Sequence, residues 1–131
     1  ITNLGRAPLP VRWFAHPFFP LSADGVLCRF ALPFSLAENP GYALDGDGFI
    51  RRKEGHDWVK GWYQPVEIEH GGKPFSAVQK HPRVGRVAVE TDFAPSFLPI
   101  WGNDRTFSFE PYFEGEFHPG QGAAWSIAYR F

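Results

Sequence analysis

An all-β chain, folded as an antiparallel β-sandwich with helix as a minor state, is what three features of the sequence predict. Gly (14) and Pro (13) punctuate it so densely that the longest stretches free of both are Arg86–Ala94 and Ala123–Phe131, nine residues each. A helix of about 11 residues would have to absorb one of them, costing about 1 kcal/mol for Gly or 3 for Pro. Several segments alternate apolar and polar residues with period two, as half-buried strands do. Aromatics make up 18% of the chain, and these residues pack well on a pleated surface.

The strands follow from the alternation. In Val26–Leu32, Val26, Cys28, Phe30 and Leu32 share a face. In Arg86–Asp92, Val87, Val89 and Thr91 oppose Arg86, Ala88 and Glu90. In Arg105–Glu110, Phe107 and Phe109 point one way while Thr106, Ser108 and Glu110 point the other. The closing segment places Trp125, Ile127, Tyr129 and Phe131 opposite Ala124, Ser126, Ala128 and Arg130. Val11–Ala15, Val66–His70 and Phe75–Gln79 are shorter strands. Asp24-Gly25, Asn39-Pro40-Gly41, Asp45-Gly46-Asp47-Gly48, Gly71-Gly72 and Gly102-Asn103-Asp104 supply the turns between them. With no repeat and no heptad, the pattern favours a sandwich over a closed barrel.

At 131 residues the chain has the length of one domain with a real core. A formal net charge of -1 points to neither nucleic acid nor an anionic membrane. No apolar run approaches ~18 residues and no signal peptide is visible, so a soluble, cytoplasmic protein is expected. The lone cysteine, Cys28, excludes an internal disulfide and reads as a buried thiol. Ile1-Thr2-Asn3-Leu4-Gly5 reads as a strand end running into a turn, which suggests a piece of a larger polypeptide.

Few residues are placed for chemistry. Asp45, Asp47, Gly48 and Glu54 match positions of a calcium-binding loop, but Ala43 stands where the first carboxylate belongs and Pro40 and Gly55 crowd out the flanking helices. The five histidines show no metal-ligand spacing, and no phosphate loop, nucleophile elbow or dinucleotide fingerprint appears. Neither metal nor cofactor is therefore expected. Glu110, Glu114 and Glu116 lie too close along one segment to face each other across a sugar as a glycosidase pair. His16-Pro17-Phe18-Phe19 and Phe109-Glu110-Pro111-Tyr112 stand out instead: an imidazole and a carboxylate, each followed by a proline and aromatics that hold a strand end rigidly. On the residues alone, His16 fits either a hydrogen-bonded structural histidine or a proton donor, and Glu110 either a solvated carboxylate or a base. Asp57, beside Trp58, reads as a turn residue or as an acceptor for sugar hydroxyls.

These pieces fall in an order that resembles the C-terminal half of the aldose 1-epimerase (galactose mutarotase) family. The resemblance is carried by Thr2-Asn3-Leu4-Gly5 with Pro8-Leu9-Pro10, by His16-Pro17-Phe18-Phe19 and by Gly55-His56-Asp57-Trp58. It continues in Lys80-His81-Pro82-Arg83-Val84-Gly85-Arg86, in Val89-Glu90-Thr91-Asp92 and Ile100-Trp101-Gly102, and in Phe109-Glu110-Pro111-Tyr112. Pro119-Gly120 ahead of Trp125–Phe131 completes it.

The resemblance implies a mutarotase-like supersandwich, with residues 1–131 supplying its C-terminal portion and a missing N-terminal portion or another chain completing it. His16 would be the acid that protonates the ring oxygen of an aldose, Glu110 the base at the anomeric hydroxyl, and Asp57 a binder of sugar hydroxyls. The substrate would be a monosaccharide and no cofactor would be needed. Leu98 stands where many members carry a substrate-contacting glutamine, and the family's N-terminal arginine and second histidine have no counterpart here. A non-catalytic carbohydrate-binding or accessory domain of a carbohydrate-active enzyme is the competing expectation. A sugar-phosphate specificity would need a basic cluster; Arg51-Arg52-Lys53 is the only dense one and reads as a solvated strand end.

Overall fold

A computed structural model describes residues 1–131 as thirteen strands with no helix. In chain order these are β1 (Leu9–Trp13), β2 (Phe19–Pro20), β3 (Val26–Phe30), β4 (Phe34–Ser35), β5 (Tyr42–Leu44), β6 (Ile50–Arg52) and β7 (Trp62–Ile68). They continue with β8 (Ser76–His81), β9 (Gly85–Thr91), β10 (Leu98–Gly102), β11 (Thr106–Phe109), β12 (Phe113–Phe117) and β13 (Ile127–Arg130). No helix is long and apolar enough to cross a membrane.

Two antiparallel sheets form the sandwich, a five-stranded one ordered β2-β11-β10-β7-β4 and a six-stranded one ordered β13-β9-β8-β3-β6-β5. A two-stranded ribbon, β1-β12, lies outside both. The sheets meet through their apolar faces. Phe19, Phe107, Phe109, Leu98, Ile100 and Val66 come from the first, and Leu27, Phe30, Ala77, Val87, Val89 and Ile50 from the second. Phe109 is the hub, with ring centroids 5.1 Å from Phe19, 5.6 Å from Phe30 and 5.9 Å from Phe75. Such edge and tilted contacts add to the large area that each ring buries.

The predicted alternation holds in β9, where Val87, Val89 and Thr91 are buried, and in β11, where Phe107 and Phe109 enter the core. It breaks in β3. Leu27 and Cys28 are both fully buried, because the register against β6 shifts between Val26 and Cys28 and the irregularity turns consecutive side chains inward. Burial pushes the Cys28 thiol far up, so it stays protonated. The closing strand is shorter than the alternation suggests: Trp125 lies outside β13 and stacks on Phe113 at 4.1 Å. Thr2 makes a single bridge to Gly122. Beyond it the buried Asn3 amide donates to the carbonyls of Ala7 and Phe117, tying this segment to the ribbon.

No period-two alternation marks β10, a central strand that carries Pro99. Proline is ordinarily kept out of central strands because it cannot donate to the ladder. Here Pro99 lies directly opposite Pro65 of β7, so neither strand needs a donor from the other at that position. The Pro99 carbonyl turns the other way and accepts from the Glu110 N–H at 3.0 Å.

Replacing Phe109 by Ala should cost about 3–5 kcal/mol, the usual range for an aromatic removed from a packed core. Phe131→Ala, at a ring 88% exposed, should stay within about 0.5 kcal/mol of wild type. Chemical denaturation midpoints measure both.

Candidate active site at the His16–Glu110 pair

The two residues singled out by their proline-aromatic contexts meet in space. His16 Nε2 lies 3.1 Å from Glu110 Oε1. Glu110 follows β11 directly, and the period-two pleat that sends Phe107 and Phe109 into the core turns Ser108 and Glu110 to the opposite face of the sheet. Its backbone N–H is held by Pro99 of the neighbouring strand, and Pro111 fixes the next φ. His16 arrives on the segment joining β1 to β2. Its ring is 4.6 Å from Phe18, 5.7 Å from Trp101 and 6.1 Å from Phe14, so aromatic packing sets its orientation.

The two groups differ in solvation. Glu110 is 4% exposed, whereas the His16 side chain keeps 37% of its surface in water. Burial raises the pKa of Glu110 above the ordinary carboxylate value, and the neighbouring His16 acts against that rise. A carboxylate moved up in this way is a stronger base than a solvated one.

The surrounding face is aromatic. Trp101 of β10 is the register partner of both Ser108 on β11 and Tyr63 on β7. Phe14 stacks on Tyr112 at 4.4 Å, and the Arg12 guanidinium sits 4.7 Å from the centroid of the same ring while bonding Glu114 at 2.9 Å. Burial raises the pKa of Tyr63 and of Tyr112, and the charge of Glu110 contributes to both shifts. The Ser108 hydroxyl is fully buried and has no hydrogen-bond partner. Such an orphaned group is rare in a folded protein. None of the cavities of the molecule is lined by His16 or Glu110.

Asp57 is not in contact with the pair. Its carboxylate, 55% exposed, bonds Lys60 at 3.3 Å within the turn that precedes β7. That turn ends at Gly61, packed so tightly against the Gly102 carbonyl and the Trp101 indole that an added Cβ would sit 2.9 Å from the carbonyl oxygen. Asp57 thus belongs to a loop bordering Trp101. Leu98 is 1% exposed and faces the core, so the opposite side of β10 presents Trp101 instead. Glu114 is committed to Arg12. In the 45–49 turn the Asp45 carboxylate accepts from the N–H groups of Asp47 and Phe49.

Trp101, Tyr63 and Ser108 were not candidates from the sequence. Trp101 and Tyr63 occupy strands whose prolines mask the alternation, and a buried serine carries no sequence signal at all. Comparison with protein-family models, with curated proteins and with solved structures finds no match.

The raised pKa of Glu110 has a consequence for stability. Between the ordinary carboxylate value and the raised one, the folded state keeps a proton that the unfolded chain has lost, so this group's contribution falls as pH rises through that window. Glu110→Gln carries no such titration. Its melting temperature should therefore gain on wild type as pH rises through the window, with the two curves parallel below it. Thermal melts from about pH 4 to 8 would show this, and a gap that widens toward low pH would contradict it.

Proposed function

We propose that the His16–Glu110 pair performs acid-base chemistry on an aldose, interconverting its α and β anomers as the resemblance to aldose 1-epimerases implies. The observation that carries the reading is the 3.1 Å contact between an accessible imidazole and a buried carboxylate of raised pKa. Sequence order made them candidates; only the fold makes them partners. In a pyranose, the ring oxygen and the anomeric oxygen are bonded to one carbon, so acid and base have to reach two geminal oxygens, which suits two groups already in contact. Glu110 takes the proton of the anomeric hydroxyl while protonated His16 gives one to the ring oxygen. The C1–O5 bond opens to the free aldehyde. Rotation about C1–C2 and the reverse transfers then close the other anomer, leaving both residues as they began.

The same face supplies binding. Trp101 and Phe18 beside His16 offer apolar surfaces to the C–H face of a sugar, and Tyr63 and the loop of Asp57 border them with hydroxyl and carboxylate groups. As the resemblance implies, we assign the completion of this site to a further polypeptide segment or a second chain. A non-catalytic carbohydrate-binding role would use the same aromatics and leave the His16–Glu110 contact without a task.

Polarimetry on freshly dissolved glucose and galactose should show mutarotation faster than the spontaneous rate. Glu110→Gln and His16→Asn should each lower turnover by about 10²–10⁴-fold, the usual contribution of a positioned proton-transfer group. Asp57→Asn should instead raise KM with little change in kcat, the signature of contacts made equally in ground and transition states. Sugar binding with only the spontaneous rate across a panel of aldoses would favour the binding-domain reading.

A further inference from the structure

Away from the His16–Glu110 face, a cavity of about 330 Å³ opens between the turn Ser22–Gly25 and the segment from Arg51 to Trp58. Among its lining residues Arg52 is unusual. On β6 the pleat places Ile50, which is fully buried, and Arg52 on one face and Arg51 on the other. The register partner of Arg52 is Tyr42, which is 1% exposed. Arg52 thus leaves the strand on the face of Ile50, half-buried, with its guanidinium bordering the cavity.

A half-buried charge gains from a partner, and of the charged residues lining the cavity only Arg52 and Glu54 lack an ion pair or a side-chain hydrogen bond. Arg51 donates to the Asp24 carbonyl at 2.9 Å. Lys53 binds the Glu38 carboxylate at 2.9 Å and the Asn39 carbonyl at 2.6 Å. The Asp24 carboxylate is taken by Lys80 and Ser22, which hold its pKa at about 2. Asp104 lies within reach of the field of Arg52 but approaches Arg105, at 3.9 Å. Glu54 lines the cavity without an ion pair. Arg52 has neither a side-chain hydrogen bond nor an ion pair. What holds it is Trp58, whose ring centroid lies 4.0 Å from the guanidinium carbon, and the Trp58 indole N–H is in turn fixed to the Lys53 carbonyl at 3.3 Å. Stacking uses the flat face of a guanidinium and leaves its edge, where the N–H donors lie, free to bind.

We propose that this cavity binds the oxyanion group, carboxylate or phosphate, of a small anionic ligand, gripped by the edge of Arg52 while Trp58 holds its plane. The guanidinium edge matches the planar pair of oxygens that both groups present, and such charge-assisted, two-point bonds are the strong ones. The volume suits a single small metabolite. The site is independent of the proposed epimerase chemistry, shares none of its residues, and stands or falls separately.

The test is a titration of the folded chain with inorganic phosphate and, separately, with acetate, at ionic strength held constant with chloride. The Arg52 Nε–H and Trp58 indole N–H resonances report binding. A saturable shift of both is expected, and the tighter of the two anions identifies the group preferred. Arg52→Gln should weaken binding by roughly tenfold or more, as loss of hydrogen bonds to a charged group does. Arg51→Gln, whose side chain serves the Asp24 carbonyl, should leave binding nearly unchanged, and Glu54→Gln should tighten it. The proposal is overturned if neither anion gives a saturable shift, or if the shift persists at full strength in Arg52→Gln. Should that variant fail to fold, the wild-type Arg52 resonance decides alone, since an Nε–H that stays still during anion binding excludes it as the grip.

Discussion

The burial of Phe109 between the two sheets is the interaction on which the rest of this molecule depends. Its ring contacts Phe19, Phe30 and Phe75, which come from different parts of the chain, so one side chain joins both layers. The residue after it is Glu110. A pleated backbone cannot bury one without turning the other to the opposite face. Core packing therefore also aims the carboxylate, and the aromatic content of the chain serves the site by anchoring the strand that carries it.

Prolines extend the same logic. Pro99 and Pro65 oppose each other in the middle of a sheet, where each removes a donor that its partner does not require. Their arrangement frees the Pro99 carbonyl to hold Glu110, while Pro17 and Pro111 stiffen the backbone just after His16 and Glu110. Rigid backbone on both sides keeps the imidazole and the carboxylate within contact distance of each other.

Three charged groups show how position decides behaviour. Asp24 is exposed and ion-paired, so its pKa falls; Glu110 is buried, so its pKa rises even though the neighbouring imidazole opposes the shift. Arg52, half-buried at the rim of a cavity, has no carboxylate partner and settles on an indole face instead. The first is a surface ion pair, the kind worth little to stability. Of the other two, Glu110 is buried and Arg52 half-buried, so both lose part of their hydration.

The sequence by itself determined that the chain is all-β, because Gly and Pro spacing leaves no room for helices and period-two alternation is a local property of strands. It also marked His16 and Glu110, since a titratable residue followed by proline and aromatics is visible in four letters. Other features are settled only by pairing between distant segments. The contact of His16 with Glu110 spans the chain, Trp101 and Tyr63 become neighbours through the β7–β10 register, and the two consecutive buried residues of β3 follow from a register shift. Asp57 shows the same limit from the other side, for its motif was legible while its partner proved to be Lys60. Local sequence states what each strand can present on its two faces. Which faces meet is decided by how the sheets close over a common core, and that depends on every strand at once.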